Sequence, residues 1–147
     1  MTAPAIADLR AIALAADLEG REILSRYTDT ELRLLYNRLG PDSFPAWLRD
    51  AVSDLNSWLE PAALIHDVEW SESDGTREHF TASNNRLRRN GHRLARYRFA
   101  WYDPRRYLYQ NRASRFSNYC QLFGWHAWKR DAEKGSAPAA PAAGLPQ

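Results

Sequence analysis

A histidine and an aspartate stand side by side at His66 and Asp67, inside the otherwise apolar stretch PAALIHDVEW. With 3.6 residues per helical turn, His66 shares a face with Ala62 and Trp70, so we expect it to be buried. A buried imidazole needs a hydrogen-bond partner for at least one ring nitrogen. Asp67 lies about 100° round the helix and is not placed to be that partner. Three roles are therefore open for His66: a catalytic base, a metal ligand or a structural contact between helices.

The spacing of the histidines argues against a metal centre. His79, His92 and His126 lack the close spacing of zinc ligands. No histidine precedes His66, although metal phosphohydrolases named for a His-Asp doublet require one upstream. We therefore predict no metal site of either kind.

The chain from residue 61 to 91 resembles the catalytic helix pair of phospholipase A₂, especially its bacterial and fungal branch and small phage-encoded relatives. HDVEW is similar to the His-Asp-x-x-Tyr motif of that family, with Trp in place of Tyr, and REHFTASNNRLRRN is similar to its second, antiparallel helix. The resemblance implies that His66 activates water, that Asp67 binds calcium and that a carboxylate on the second helix orients His66. It also suggests a phage or prophage product.

Three parts of the phospholipase pattern are missing here. No aspartate occurs between residues 78 and 91, so the orienting role falls to Asn84, Asn85 or Asn90, whose amides stabilise an imidazolium poorly. The preceding SDLNSWLEP reads as helix rather than as a calcium-binding loop. A single cysteine allows no internal disulfide. The candidate catalytic set is thus His66, Asp67, Asn84 and Asn85, with calcium as cofactor only if the chain is a hydrolase. The alternative is that His66 bonds to Asn84 or Asn85 and joins two helices.

A second candidate surface combines arginine with aromatic residues. Between residues 86 and 106, arginines alternate with Tyr97, Phe99, Trp101 and Tyr102. Arginine pairs with phosphate while aromatic rings stack on bases or partition into a membrane surface, so this segment predicts an anionic partner, whether protein, nucleic acid or lipid. The predicted binding residues are Arg86, Arg88, Arg89, Arg93, Arg96, Arg98, Trp101, Arg105 and Arg106.

Charge is divided unevenly along the chain. Residues 1–76 contain 6 Arg and 14 Asp or Glu, whereas residues 77–130 contain 13 Lys or Arg and only Glu78 and Asp103 as acids. The alternative to an anionic partner is therefore internal: the arginines meet the acidic N-terminal half while the aromatic rings point into the core.

Helical spacing and capping residues predict an all-α single domain of five or six helices over residues 1–131, followed by a disordered Ala/Pro-rich tail at 132–147. An antiparallel pair is expected at the centre, formed by a helix from Pro61 and a helix from about Thr76 to Asn90 that ends at Gly91. Further helices are predicted at 5–18, 28–39 and 42–60. A long helix after Pro104, bent near Gly124, is expected to face the core with Tyr109, Ala113, Phe116, Cys120, Phe123 and Ala127.

The lone Cys120 favours a reducing compartment, and no stretch approaches the length of apolar sequence that a bilayer requires. We therefore expect a soluble protein of the cytoplasm, in a bacterial host or a virion if it is phage-encoded. The preferred function is a non-catalytic binding or assembly protein that uses its basic face. The alternative is a phospholipase A₂-like hydrolase with His66 as general base.

Overall fold

The computed structural model describes residues 5–36 and 56–135, which are helical apart from the connecting turns. The α-helices in these ranges are α1 (Ile6–Ala15), α2 (Asp29–Leu35), α3 (Glu60–Ser71), α4 (Arg77–Arg98), α5 (Pro104–Phe123) and α6 (Trp125–Gly135). Two 3₁₀ helices, Arg21–Arg26 and Ser57–Leu59, precede α2 and α3. Neither described range contains a strand, so the predicted all-α fold is confirmed.

Helix α3 lies at the centre of the fold because it is apolar on almost every side. Pro61 occupies its first turn, as predicted, and Ala62, Leu64, Ile65 and Val68 are all buried. The helix contacts α1, α2, α4, α6 and the first 3₁₀ helix. It packs antiparallel to α4, so the predicted central helix pair is confirmed.

Local signals determine where α1 ends and where α2 begins. The Thr28 hydroxyl accepts a hydrogen bond from the backbone N–H of Glu31 at 3.3 Å, and the Glu31 carboxylate accepts one from the backbone N–H of Thr28 at 2.7 Å. This capping box starts α2 at the predicted place. Helix α1 ends at Ala15, earlier than predicted, because Asp17 already has a left-handed φ of 52° and Gly20 one of 79°. These residues form the loop that crosses α4.

Helix α4 runs past the glycine at which the sequence predicted its end. Gly91 lies inside the helix, which continues to Arg98. A β-carbon at Gly91 would stand 2.4 Å from the Ala113 Cβ on α5 and 3.0 Å from a Leu59 methyl carbon. The predicted boundary was wrong because this glycine permits close packing of α4 on α5 and does not form a left-handed cap.

Helix α5 begins where the sequence predicted. Asp103 caps it by accepting a hydrogen bond from the backbone N–H of Arg105 at 2.9 Å, and Pro104 occupies the first turn. The helix packs along α4, with Ala113 and Ser117 as its buried residues. Its outer face remains in solvent.

The predicted bend near Gly124 is a break between α5 and α6. Beyond it, Trp128 is fully buried, with its ring centroid 5.1 Å from Trp70 on α3 and 5.6 Å from Phe80 on α4. Phe123 was predicted to face the core but is 62% exposed, because the chain turns towards α3 only after this residue.

Some predictions fall outside the described residues: the helix at 42–60, the end of the helix predicted at 28–39, and the tail beyond Gly135. Helix α6 continues to Gly135, past the position 132 at which the tail was predicted to start. No described helix is long and apolar enough to cross a membrane.

Candidate functional site

His66 lies buried between α3 and α4, with 6% of its surface exposed. Its Nε2 atom is 2.9 Å from the amide oxygen of Asn84. Because an amide oxygen can only accept a hydrogen bond, Nε2 carries the proton and donates a hydrogen bond to the Asn84 oxygen. Trp70, one turn further along α3, covers the imidazole with ring centroids 5.5 Å apart. The prediction of a buried His66 bonded to an asparagine of the second helix is confirmed, and Asn84 is that asparagine.

The hydrogen bonds continue from Asn84 into α5. The Asn84 amide N–H donates to the Gln121 side-chain oxygen at 2.8 Å, and the Gln121 amide donates to the Thr81 hydroxyl at 3.1 Å. The Ser117 hydroxyl donates to the Asn84 backbone carbonyl at 2.6 Å. Sequence reasoning missed Gln121 and Ser117. Their only signal was a spacing of four residues on the face of α5 that begins with Ala113. The network joins α3, α4 and α5.

The environment of His66 keeps its ring neutral. Burial lowers the pKa of His66, and the hydrogen bond to Asn84 offsets this only in part. A histidine that acts as general base becomes positively charged during catalysis. A carboxylate partner stabilises this imidazolium far better than an amide does. Asn84 stands where the phospholipase resemblance implies an aspartate. The arrangement is suited to holding two helices together.

The other residues of the candidate catalytic set do not converge on the ring. Asp67 is half-buried. Burial of the Cys120 thiol, together with the negative charge of Asp67, raises the pKa of that thiol to about 12. Asn85 is half-buried on α4, and the hydrogen bond of His66 goes to its neighbour Asn84. Within residues 5–36 and 56–135, no three His, Cys, Asp or Glu side chains are grouped so as to hold a metal ion.

Arg86, the first predicted binding arginine, is used inside the protein. It forms an ion pair with Glu69 of α3, whose side chain is only 4% exposed. The Ser83 hydroxyl also donates to the Glu69 carboxylate, at 3.0 Å. A buried carboxylate requires such partners, so Arg86 has a structural role.

Arg89 and Arg93 are neutralised by the loop after α1. Arg89 forms an ion pair with Glu19 at 2.8 Å, and Arg93 forms ion pairs with Asp17 at 3.0 Å and Glu19 at 3.3 Å. The hydrogen bond from Arg89 lowers the pKa of Glu19. Asn90 holds the same loop, because its amide bonds both the N–H and the carbonyl of Glu19, at 2.8 and 2.9 Å. For these two arginines, pairing with the acidic N-terminal half is confirmed.

The remaining predicted arginines do not pair with the loop after α1. Arg105 pairs with the adjacent Asp103 at 2.7 Å. Arg88, Arg96, Arg98 and Arg106 form no ion pair with any carboxylate of the described residues. Half of the eight predicted arginines thus keep a charge that these residues do not neutralise.

His92 shows where the uncompensated charge is concentrated. Its Nε2 lies 2.9 Å from the Ser114 hydroxyl of α5. Burial lowers the pKa of His92, and the positive charges of Arg88 and Arg96 lower it further, while a hydrogen bond to the Gln110 backbone raises it. Arg88 and Arg96 therefore lie one turn either side of His92 on one face of α4. Arg106 lies one turn before Gln110 and adjoins this face. We call Arg88, Arg96 and Arg106 the open arginine face.

The aromatic residues of this segment are mostly in solvent. Trp101 is 75% exposed, Tyr102 73% and Tyr97 56%, whereas Phe99 is 9% exposed. The interpretation that these rings point into the core is therefore wrong for all except Phe99. The turn between α4 and α5 presents an aromatic pair beside the open arginine face.

Comparisons with family models, with curated proteins and with solved structures gave no match to this chain. The likeness to phospholipase A₂ and its phage-encoded relatives therefore stays a prediction from the residues between positions 61 and 91.

Proposed function

We propose that this chain is a non-catalytic binding protein that holds a linear polyanion on the open arginine face. The observation that carries the proposal is the contrast between two faces of α4. Arg89 and Arg93 meet the carboxylates of Asp17 and Glu19, whereas Arg88 and Arg96 are exposed and pair with no carboxylate of the described residues. Uncompensated guanidinium groups attract phosphate or carboxylate groups and can bind them through two hydrogen bonds each.

The geometry of the face supports a polymer rather than a single small anion. Arg88 and Arg96 are two turns apart, which places them about 12 Å from each other along the helix axis. Arg106 extends the face towards the turn at the end of the hairpin. One phosphate group cannot span this distance, whereas successive phosphates of a chain can follow it.

The chemistry around His66 supports the non-catalytic part of the proposal. The ring is buried, neutral and bonded to an amide that also bonds Gln121. Its role in the fold is to connect α3 to the hairpin of α4 and α5. A hydrolase would instead require an accessible ring nitrogen and a partner that stabilises the imidazolium.

The proposal is tested with two double variants of equal charge. Arg88→Gln with Arg96→Gln removes charge from the open arginine face. Arg26→Gln with Arg33→Gln removes the same charge from two exposed arginines of the acidic half. Binding of labelled heparin is measured by fluorescence anisotropy over a range of salt concentrations, because counterion release makes such binding depend on salt.

We expect wild type and the Arg26/Arg33 variant to bind heparin with similar affinity and a similar salt slope. The Arg88/Arg96 variant should bind more weakly and with a smaller slope of log K against log salt, because two ionic contacts and their counterion release are lost. Equal weakening by both variants would mean that total charge, and not the open arginine face, decides binding.

A further inference from the structure

The turn that joins α4 to α5 carries two adjacent rings that the core does not use. Trp101 and Tyr102 are 75% and 73% exposed, and their ring centroids are 5.7 Å apart at an interplanar angle of 86°. In this edge-to-face arrangement the two rings present open faces in different directions. Large exposed rings at one point of a surface are characteristic of contact with a partner.

The turn itself is anchored, so its backbone is ordered before any partner binds. Phe99 is buried behind it, with the Tyr109 ring 4.8 Å away and the Arg105 guanidinium 5.0 Å from its centroid. The Asp103 N–H donates to the Ala100 carbonyl at 3.0 Å. A pre-formed turn saves the ordering entropy that a flexible loop would lose on binding.

The electrostatics of the turn favour an anionic partner. Asp103 is the only acidic residue between Glu78 and Asp131, and its carboxylate is occupied by Arg105 at 2.7 Å. Arg96 and Arg98, near the end of α4, form no ion pair with a carboxylate of the described residues. The exposed rings are therefore flanked by cations whose charge the neighbouring residues do not cancel.

We propose that Trp101 and Tyr102 stack on unpaired bases, and that the polyanion of the open arginine face is single-stranded nucleic acid. This inference rests on the proposed function, because the arginines supply the phosphate contacts. Aromatic faces stack on any base, and arginines track the backbone of a single strand. A duplex hides its base faces within the helical stack and offers the rings nothing comparable.

The surface from the arginines to the rings is elongated, as a site for a single nucleic-acid strand must be. Arg88 precedes Trp101 by thirteen residues, most of them helical, so the two ends of the surface are about 15 to 20 Å apart. Phosphates can follow Arg88, Arg96 and Arg106 while the bases at one end of the strand reach the turn. Heparin or another polyanion without bases would use the arginines alone.

The decisive probes have the same phosphates and differ in their bases. One is a labelled oligothymidylate of twenty nucleotides, and the other is an abasic strand of equal length. Binding of each is measured for wild type, Trp101→Ala and Phe123→Ala. Phe123 is a matched control, since it is an exposed aromatic residue (62%) at the other end of α5. Thermal melting of each variant checks that the fold is intact.

We expect wild type to bind oligothymidylate roughly tenfold more tightly than the abasic strand, as one stacked base typically provides. Trp101→Ala, which leaves Tyr102 in place, should lose most of this preference, and Phe123→Ala should leave it intact. Trp101→Phe keeps a ring face and should therefore retain most of the preference for oligothymidylate over the abasic strand.

Equal affinity of wild type for the two strands overturns base stacking while leaving the arginine face as a polyanion site. Failure to bind either strand or heparin overturns the proposed function itself. Vesicles of phosphatidylserine and phosphatidylcholine provide the remaining comparison. If Trp101→Ala abolishes binding to these vesicles without changing the preference for bases, the turn is a membrane contact and the inference is wrong.

Discussion

His66 should make the folded protein less stable in mild acid, because its ring is buried in the neutral form. Burial lowers its pKa from the ordinary value of 6.5, so below that pH the unfolded chain binds a proton that the folded chain resists. The contribution of the neutral His66 ring to the free energy of unfolding is fully present above pH 6.5. It is lost as the pH falls through 6.5 towards the lower pKa of the folded protein. Between pH 7.5 and 5.5 the loss from this one group is at most about 1.4 kcal/mol, the limit set by protonation of the ring in the unfolded chain.

Between pH 7.5 and 5.5, other groups with shifted pKa values either change the free energy of unfolding little or lower it as His66 does. The pKa values of Glu19 and Asp103 are lowered from ordinary values of 4.5 and 3.8, so their contributions are lost only in stronger acid. His92 also has a lowered pKa, with burial as the main cause, and adds to the loss. The effect of His66 must therefore be isolated by substitution.

The assay is urea unfolding at pH 7.5 and 5.5, followed by circular dichroism, for wild type, His66→Gln and His126→Gln. The glutamine at position 66 can donate to Asn84 but does not titrate, so the stability of this variant should change less with pH than that of wild type, by up to about 1.4 kcal/mol. His126 is exposed on α6, and its variant is the control for replacing a histidine by glutamine outside the buried network. A His66→Gln protein that loses as much stability as wild type between these pH values would refute the buried, neutral imidazole.

Two further substitutions test the packing and capping of the helices. Gly91→Ala should lower the free energy of unfolding by about 1 to 3 kcal/mol, because the new β-carbon would meet Ala113 at 2.4 Å. Adding Ala113→Gly should recover part of this loss in urea unfolding, and an alanine at 91 that stabilises the protein would show that α4 and α5 are not in close contact. Thr28→Ala removes the capping box of α2 and should cost about 1 kcal/mol, whereas Thr28→Ser should cost much less. Equal melting temperatures for these two variants would contradict the capping role.

Elements with local signals could be predicted from the sequence. The capping box at Thr28, Pro61 in a first turn and Asp103 before Pro104 all mark helix starts through residues within one turn of each other. The contact of His66 with Asn84 was also within reach, because two consecutive helices joined by a short turn must lie antiparallel. These features depend on few residues, all close together in the chain.

Features that depend on distant segments could not be predicted. Gly91 resembles a helix end until Ala113 is known to face it. Pairing of Arg89 and Arg93 depends on a loop 70 to 76 residues earlier in the chain, which the charge pattern indicated only as a general tendency. Gln121 enters the His66 network only because α5 lies beside α4. In each case, tertiary packing determines which of two local interpretations holds.

The rotation of α4 about its axis connects the buried network to the proposed binding surface. Asn84 points inward to His66, and Asn90 bonds the backbone of Glu19. Consecutive helical residues are about 100° apart, so a one-residue error in this rotation would turn Arg88 towards the acidic loop in place of Arg89. Arg88 would then be neutralised by that loop and Arg89 would be exposed. Buried amides thus decide which charges remain available to a partner, and this gives His66 and Asn84 an influence on binding without any contact with the bound molecule.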